Sequence, residues 1–214
     1  MLVGRWMTSD PKTISPDVSV LEAADRMQRE RVRRYPVIGK EGKLAGIVSL
    51  DDLLRASPSA ATSLNVWEVS YLLTQIKVRD VMTVDVITVT EYTPLEEAAN
   101  LMLERKIGGL PVVRDGILLG IITESDIFRI FAELLGANEP GIRLTVLAPN
   151  YKGALAKLST AIAQRGGLVT AFNVFRGEDP SNWGAHLKVA EISEEDLLAV
   201  IQPLVLTVLD IREM

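Results

Sequence analysis

The residues best suited to chemistry are two hydroxyl–carboxylate pairs at one spacing: Ser49 with Asp52 in GIVSLDDLLR, and Thr123 with Asp126 in GIITESDIFR. In each, an apolar run that reads as a strand closes on the hydroxyl, and the acid falls in the first turn of a helix. That spacing brings a hydroxyl and a carboxylate together beside the unpaired main-chain N–H groups of a helix start. A carboxylate that accepts two hydrogen bonds suits a vicinal diol such as ribose, as acidic residues do in dinucleotide folds. The same spacing is also an ordinary capping box, and the residues alone leave both readings open. Other chemistry has little to work with. The chain has no cysteine and a single histidine, His186, so a thiolate nucleophile, a Cys-ligated zinc or a Ser-His-Asp triad lacks its parts. No catalytic residue and no metal ligand can be assigned, and His186 reads as structural. The expectation is a binding protein, not an enzyme, with no required cofactor.

The elements that carry these pairs come from an internal repeat. WMTSDPKTISPDVSVLEAADRM (6–27) matches VMTVDVITVTEYTPLEEAANLM (81–102): Met7 aligns with Met82, Thr8 with Thr83, Asp10 with Asp85 and Met27 with Met102. Tyr35-Pro36-Val37 then matches Leu110-Pro111-Val112, and after one residue is lost in a turn Gly46 matches Gly120. Each copy reads as β-α-β-β-α. Thr13–Ser15 and Val86–Val89 are short β segments. Asp17 or Thr93 can cap the next helix, with Pro94 at its first position in the second copy. That helix runs from about Val20 to Arg31 and from about Leu95 to Lys106, with Ala, Met and Leu at three- and four-residue steps. One unit of this size is marginal alone, so the two are expected to stack. Between them, residues 57–77 open with SPSAATS and continue as a helix whose stripe is Leu64, Trp67, Tyr71, Leu72 and Gln75. The stripe is read as a linker helix packed on the module, with a dimer contact as the sharper alternative.

Composition bounds the partners. The chain has 214 residues, 48% of them hydrophobic, and a formal net charge of −5. A nucleic-acid binder carries a basic face and a high pI, so this balance argues against DNA or RNA as the main partner. No apolar run approaches the roughly 18 residues of a membrane span, and the first residues carry no stretch long enough for a signal peptide. A cytoplasmic setting is expected.

The tandem copies resemble paired cystathionine β-synthase (CBS) domains, the Bateman arrangement, over about residues 1–135. The motifs that carry the resemblance are the helix, the Pro-Val strand and Gly-x-x-(Ser/Thr)-x-x-Asp, all at repeat spacing. The resemblance implies a pseudo-twofold pair with two clefts that bind AMP, ADP, ATP or S-adenosylmethionine as a regulatory ligand. By position it implies that Asp52 and Asp126, helped by Ser49 and Thr123, hold the ribose hydroxyls. Tyr35, Pro36 and Val37, with Leu110, Pro111 and Val112, would wall the adenine and hydrogen-bond it through the backbone. In phosphate-binding relatives a basic residue sits where Arg34 stands. The charge pattern adds Arg55 and Arg129, one turn after each Asp, as further phosphate candidates; a solvated helix end is the plain reading of Arg29 to Arg34. The second copy has Gly108-Gly109 in place of Arg33-Arg34, so the pockets are expected to differ.

Asn138-Glu139-Pro140-Gly141 reads as a boundary. After it the pattern is β-α-β-β-α-β, ferredoxin-like. Order and sequence resemble the ACT domain, a regulatory module of amino-acid pathways, whose loop before the first helix reads Asp-x-Pro-Gly-x-Leu. Here Asn150, Tyr151, Gly153 and Leu155 occupy that loop. Gly153 and Leu155 match, but the acid is absent and no Pro directly precedes the Gly. Such domains often pair edge to edge, so a homodimer is expected. The predicted layout is thus an α+β chain with CBS domains at 1–56 and 78–135, a linker helix at 57–77 and an ACT-like domain at 141–214. The whole resembles the acetoin-utilisation B protein family of bacteria. The function expected is ligand sensing in the clefts, with dimerisation or amino-acid sensing through the third domain; the alternative is a structural adaptor with no ligand. The downstream partner is not legible.

Overall fold

A computed structural model of the chain describes residues 1–40, 42–56 and 65–214; SPSAATS and Leu64 lie outside them. The described residues divide into two compact units, Met1–Ile127 and Phe128–Met214. In the first, the elements are α1 (Val3–Trp6), β1 (Thr8–Ser9), α2 (Val20–Glu30), β2 (Arg34–Ile38), β3 (Leu44–Ser49), α3 (Leu50–Arg55), α4 (Val66–Gln75) and α5 (Val78–Val81). Then come α6 (Leu95–Arg105), β4 (Gly109–Arg114), β5 (Ile117–Thr123) and α7 (Glu124–Leu134), which runs on into the second unit.

The repeat is visible as two matching cores. Helix α2 buries Val20, Ala23 and Met27, and α6 buries Leu95, Ala98 and Met102, the same steps on the same face. Tyr35, Val37 and Val48 are buried in the first copy, and Leu110, Val112 and Ile122 in the second. Each large side chain so buried contributes about 1.5–3 kcal/mol. Both helices stop on a left-handed residue, Arg31 or Lys106, each at φ 54°. Their starts differ from the expected caps. Ser19 caps α2, its Oγ accepting from Glu22 N–H at 3.2 Å, while Asp17 pairs with Arg79. In the second copy Thr93 Oγ1 accepts from Thr90 N–H, and Pro94 stands at the cap itself. The reason is that the residues before each helix already hold the opposite copy: Val78 N–H donates to Val18 O, and Val3 N–H to Thr93 O, both at 2.9 Å.

That exchange is reciprocal throughout. β1 of the first copy pairs with β5 of the second, Thr8 opposite Ile121 and Ser9 opposite Gly120. The matching Thr83 of the second copy bridges to Ile47 on β3. Gly46 and Gly120 are where the crossing chains press closest. A Cβ on Gly46 would lie 2.6 Å from Met82 Sδ and 2.9 Å from Thr83 O; one on Gly120 would lie 2.5 Å from Met7 Sδ and 2.8 Å from Thr8 O.

Asn65 caps α4 with both Trp67 and Glu68 N–H groups. The expected stripe is not the packed face. Trp67, Tyr71 and Leu72 are 84%, 66% and 41% exposed, and Leu73 and Ile76 pack on the first module's core instead. The Ile76 carbonyl accepts from Val20 N–H at 2.9 Å, which fixes the helix end with that face inward.

The second unit holds β6 (Ile142–Pro149), α8 (Ala154–Gln164), β7 (Leu168–Arg176), β8 (Asn182–Ala190), α9 (Glu194–Ile201), a 3-10 turn at Gln202–Leu204 and β9 (Thr207–Glu213). The sheet is fully antiparallel in the order β7-β8-β6-β9, the β-α-β-β-α-β ferredoxin-like arrangement. One face packs Leu144, Val146, Ala185, Leu187 and Val189 on Leu158, Ile162, Leu197 and Ile201 of the helices. Alternation along β8 sends His186 and Lys188 to the other face, yet they are only 8% and 2% exposed. The segment after α7 lies over them. Asn173 Nδ2 donates to Leu134 O at 2.8 Å, and His186 Nε2 lies 3.3 Å from Leu135 O. Gly136, at φ +66°, comes so close that a Cβ would lie 3.2 Å from that of Lys188.

Burial pulls the His186 imidazole below its ordinary value; the Leu135 carbonyl opposes this, Arg143 and Lys188 add to it, and Asp210 opposes it. The folded state therefore holds the neutral ring, and the unfolded chain takes the proton first, at about pH 6.5. This contribution to stability is present above that pH and is lost as pH falls through the lower folded value. Melting from about pH 8 to about pH 5 should show a steeper loss for wild type than for His186→Gln; parallel curves would refute the assignment.

Candidate ligand clefts

The two hydroxyl–carboxylate pairs form with nearly identical geometry. Asp52 Oδ2 accepts from Ser49 N–H at 2.8 Å and Ser49 Oγ at 2.6 Å. Asp126 Oδ2 accepts from Thr123 N–H at 3.0 Å and Thr123 Oγ1 at 2.7 Å. Each hydroxyl in turn accepts from the Asp N–H, so both pairs are capping boxes. A carboxylate has about four lone-pair sites, so a cap and a diol can share it.

Each pair opens into a cleft. The first, of about 580 Å³, gathers Ser49, Asp52 and Ile47 with Thr83, Asp85 and Val86 of the second copy. The other, of about 570 Å³, gathers Thr123, Asp126 and Ile121 with Thr8, Asp10 and Pro11 of the first. Both volumes lie in the range of small-molecule sites. The sequence reading missed Thr8, Asp10, Thr83 and Asp85 as lining residues. Their signal was present, because Thr and Asp recur at those positions of both copies. Only a pairing across the copies explains why.

Of the expected adenine wall, Pro36 lines the Asp126 cleft. Tyr35, Val37, Leu110, Pro111 and Val112 are buried, and neither cleft has them in its lining. Tyr35 donates its hydroxyl to Glu30 Oε2 at 3.0 Å, and burial with the Glu30 carboxylate pushes that hydroxyl up to about 12. The carbonyls of Pro36 and Pro111 accept from Ile14 and Val89 N–H groups.

Arg34 lines both clefts, as does Arg33. The Arg34 guanidinium crosses to the second copy. A Cβ on Gly109 would lie 2.5 Å from its Nη1, and one on Gly108 would lie 2.9 Å from Glu124 Oε2. Burial lowers its pKa, opposed by the Glu124 carboxylate; an arginine stays charged regardless. The basic pair missing from the second copy is therefore supplied by the first, and the clefts differ less than the sequence suggests. Lys106 and Arg55 add charge to the first cleft, and Lys12 and Arg31 to the second. Arg55 is highly exposed and 3.8 Å from Asp51; Arg129 falls in the second unit. In the candidate ACT loop, Gly153 adopts φ +89° ahead of α8. Asn150 is bound to the 180–181 turn through Ser181 O and Pro180 O. Tyr151 carries Lys157 over its ring, and Leu155 is 46% exposed.

Among the described residues no group of three or more His, Asp or Glu side chains could hold a metal ion, and no helix is long and apolar enough to cross a membrane.

Paired β-α-β-β-α modules exchanging their leading residues, with a hydroxyl–carboxylate pair in each of two clefts, define a tandem two-cleft module. The family model of the CBS domain matches residues 3–59 and 78–133, and the chain belongs to the CBS domain family. A Vibrio cholerae structure described as an acetoin utilization protein (AcuB) is 35% identical, with a TM-score of 0.54, over 65% of this chain and 96% of that one. The CBS domain pair of protein MJ0100, solved with 5′-methylthioadenosine and S-adenosyl-L-methionine, is 30% identical, with a TM-score of 0.51, over 61% of this chain and 99% of that one. CBSX2 from Arabidopsis thaliana, solved with AMP, is 34% identical, with a TM-score of 0.51, over 62% of this chain and 96% of that one. The matched stretch spans 94% of one curated relative, but 47% and 62% of two others.

Proposed function

We propose that the chain is a regulatory sensor that binds an adenosine-containing ligand in the Ser49–Asp52 and Thr123–Asp126 clefts. The observation that carries this reading is the pair of related clefts, each joining a hydroxyl–carboxylate pair to Arg33 and Arg34. A ribose diol meets the acid and a phosphate meets the arginines, two charge-assisted contacts to opposite ends of one nucleotide. Ligands of that class occupy the similar MJ0100 and CBSX2 structures. Binding shifts the protein's state only by its differential affinity for two conformations. The ferredoxin-like unit is the dimerisation or amino-acid-sensing part, ACT-like in its order and in Gly153 and Leu155. The absence of cysteine suits a cytoplasmic setting.

The capping boxes favour one competing reading, a structural adaptor in which Asp52 and Asp126 only start helices. Calorimetry and thermal melting with AMP, ADP, ATP and S-adenosylmethionine separate the two. At 100 times the dissociation constant a ligand should stabilise the fold by about 2.7 kcal/mol, and Asp52→Ala or Asp126→Ala should abolish binding in its own cleft. No binding by any of the four at millimolar levels favours the adaptor.

A further inference from the structure

We propose a second, independent site on the face of the ferredoxin-like sheet away from its helices, one that takes a small organic carboxylate with an apolar tail. A cavity of about 340 Å³ lies there, wholly within the second unit. Its floor is β6 and β8, which present Arg143, Thr145, His186 and Lys188; Phe175 of β7 and Leu135 form apolar walls.

Lys188 carries the inference. It is 2% exposed and belongs to the cavity lining. Among the described residues its ammonium has neither a hydrogen-bond acceptor nor a carboxylate within ion-pair distance, in contrast to Arg143 and Arg212, which both pair with Asp210. The side chain is almost wholly packed away while lining the cavity, and an anion there supplies the ammonium with a charged partner. The neighbouring polar groups are engaged in ways that leave this role to Lys188 and Arg143. His186 Nδ1 lies 3.3 Å from Thr145 Oγ1 and Nε2 faces Leu135 O. A neutral ring that donates to the carbonyl thus accepts from the threonine. Arg143 gives Nη1 to Asp210, and its fork has further N–H groups. The main-chain oxygen of Met214 accepts from Gly141 N–H at 3.2 Å.

The rest of the lining selects within the anions. The side chains that line the cavity include two cations, Arg143 and Lys188, and no acid, so an α-ammonium meets like charge there. The apolar walls suit a short hydrocarbon tail, which inorganic phosphate lacks. The site differs in position from the Asn150–Leu155 loop and does not rest on the adenosine reading.

Butyrate, butyramide, 2-aminobutyrate and inorganic phosphate, titrated calorimetrically into the full chain, test the site. Butyrate should bind saturably and the other three more weakly. Lys188→Met should weaken butyrate by about 10- to 100-fold, one charge-assisted hydrogen bond, while leaving any nucleotide binding unchanged. Absence of saturable butyrate binding, equal binding of butyramide, or unchanged affinity in Lys188→Met overturns the site. Tighter binding of phosphate or of 2-aminobutyrate overturns the carboxylate assignment. The comparison of butyrate with butyramide needs no substitution, so it stands even where the variant fails to fold.

Discussion

Arg34→Ala is expected to weaken AMP at both clefts together, by about 10- to 100-fold at each, and to leave 5′-methylthioadenosine nearly unaffected. The side chain lines the Ser49–Asp52 and Thr123–Asp126 clefts alike. A charge-assisted hydrogen bond to phosphate is worth about 1.5–3 kcal/mol, and each 1.4 kcal/mol is tenfold in affinity. 5′-Methylthioadenosine has no phosphate, so it reports whether the cleft survives the substitution. Equal losses for both ligands would mean that Arg34 holds the shape of the clefts through Glu124. A loss confined to one cleft would mean that the guanidinium serves only one of them. Asp52→Ala and Asp126→Ala, each reporting one cleft, provide the assignment.

Gly120→Ala should destabilise the first unit by about 1–3 kcal/mol, the usual cost of overpacking, and Gly46→Ala by a similar amount. The new methyl meets Met7 Sδ, which can swing away, and Thr8 O, which cannot without moving β1. Met7→Ala combined with Gly120→Ala should therefore recover only part of the loss. Gly39→Ala is the control, because its Cβ would sit an ordinary 3.5 Å from that of Ala45. Denaturant melts that show Gly120→Ala within about 0.5 kcal/mol of wild type would falsify the close crossing of the two copies.

The repeat, the element order and the two hydroxyl–carboxylate pairs were legible because each rests on local spacing. Val20, Ala23 and Met27 mark a helix face without reference to anything distant, and a Ser-x-x-Asp box closes within four residues. What was not legible depends on contacts between the copies. The resemblance places Tyr35 and Leu110 at an adenine wall, and here both side chains are buried; strand alternation alone does not say which face meets a core. Thr8 and Asp85 stood out only as repeat positions, because the clefts they line belong to the other copy. On β8 the pattern His186-Leu187-Lys188 reads as a half-wet strand. It is buried on both faces because Leu135–Ala137 folds back over it, an event that periodicity within β8 cannot register. The stripe at Trp67, Tyr71 and Leu72 failed for the converse reason: a helical period reveals an apolar face but not what meets it.

The crossing of Arg34 onto Gly108-Gly109 has an evolutionary reading. A dimer of identical modules, related by a true twofold axis, would present the same residue from both partners at this place. An arginine at 109 would then start where the Arg34 guanidinium already lies, two like charges in one space. Gene duplication and fusion remove the obligation to be symmetric, because each half can then mutate alone. In this chain one half carries arginine and the other glycine, and a single side chain lines two clefts. Such an arrangement is open only to a fused pair, and it ties the two clefts together: a change at one codon alters the lining of both.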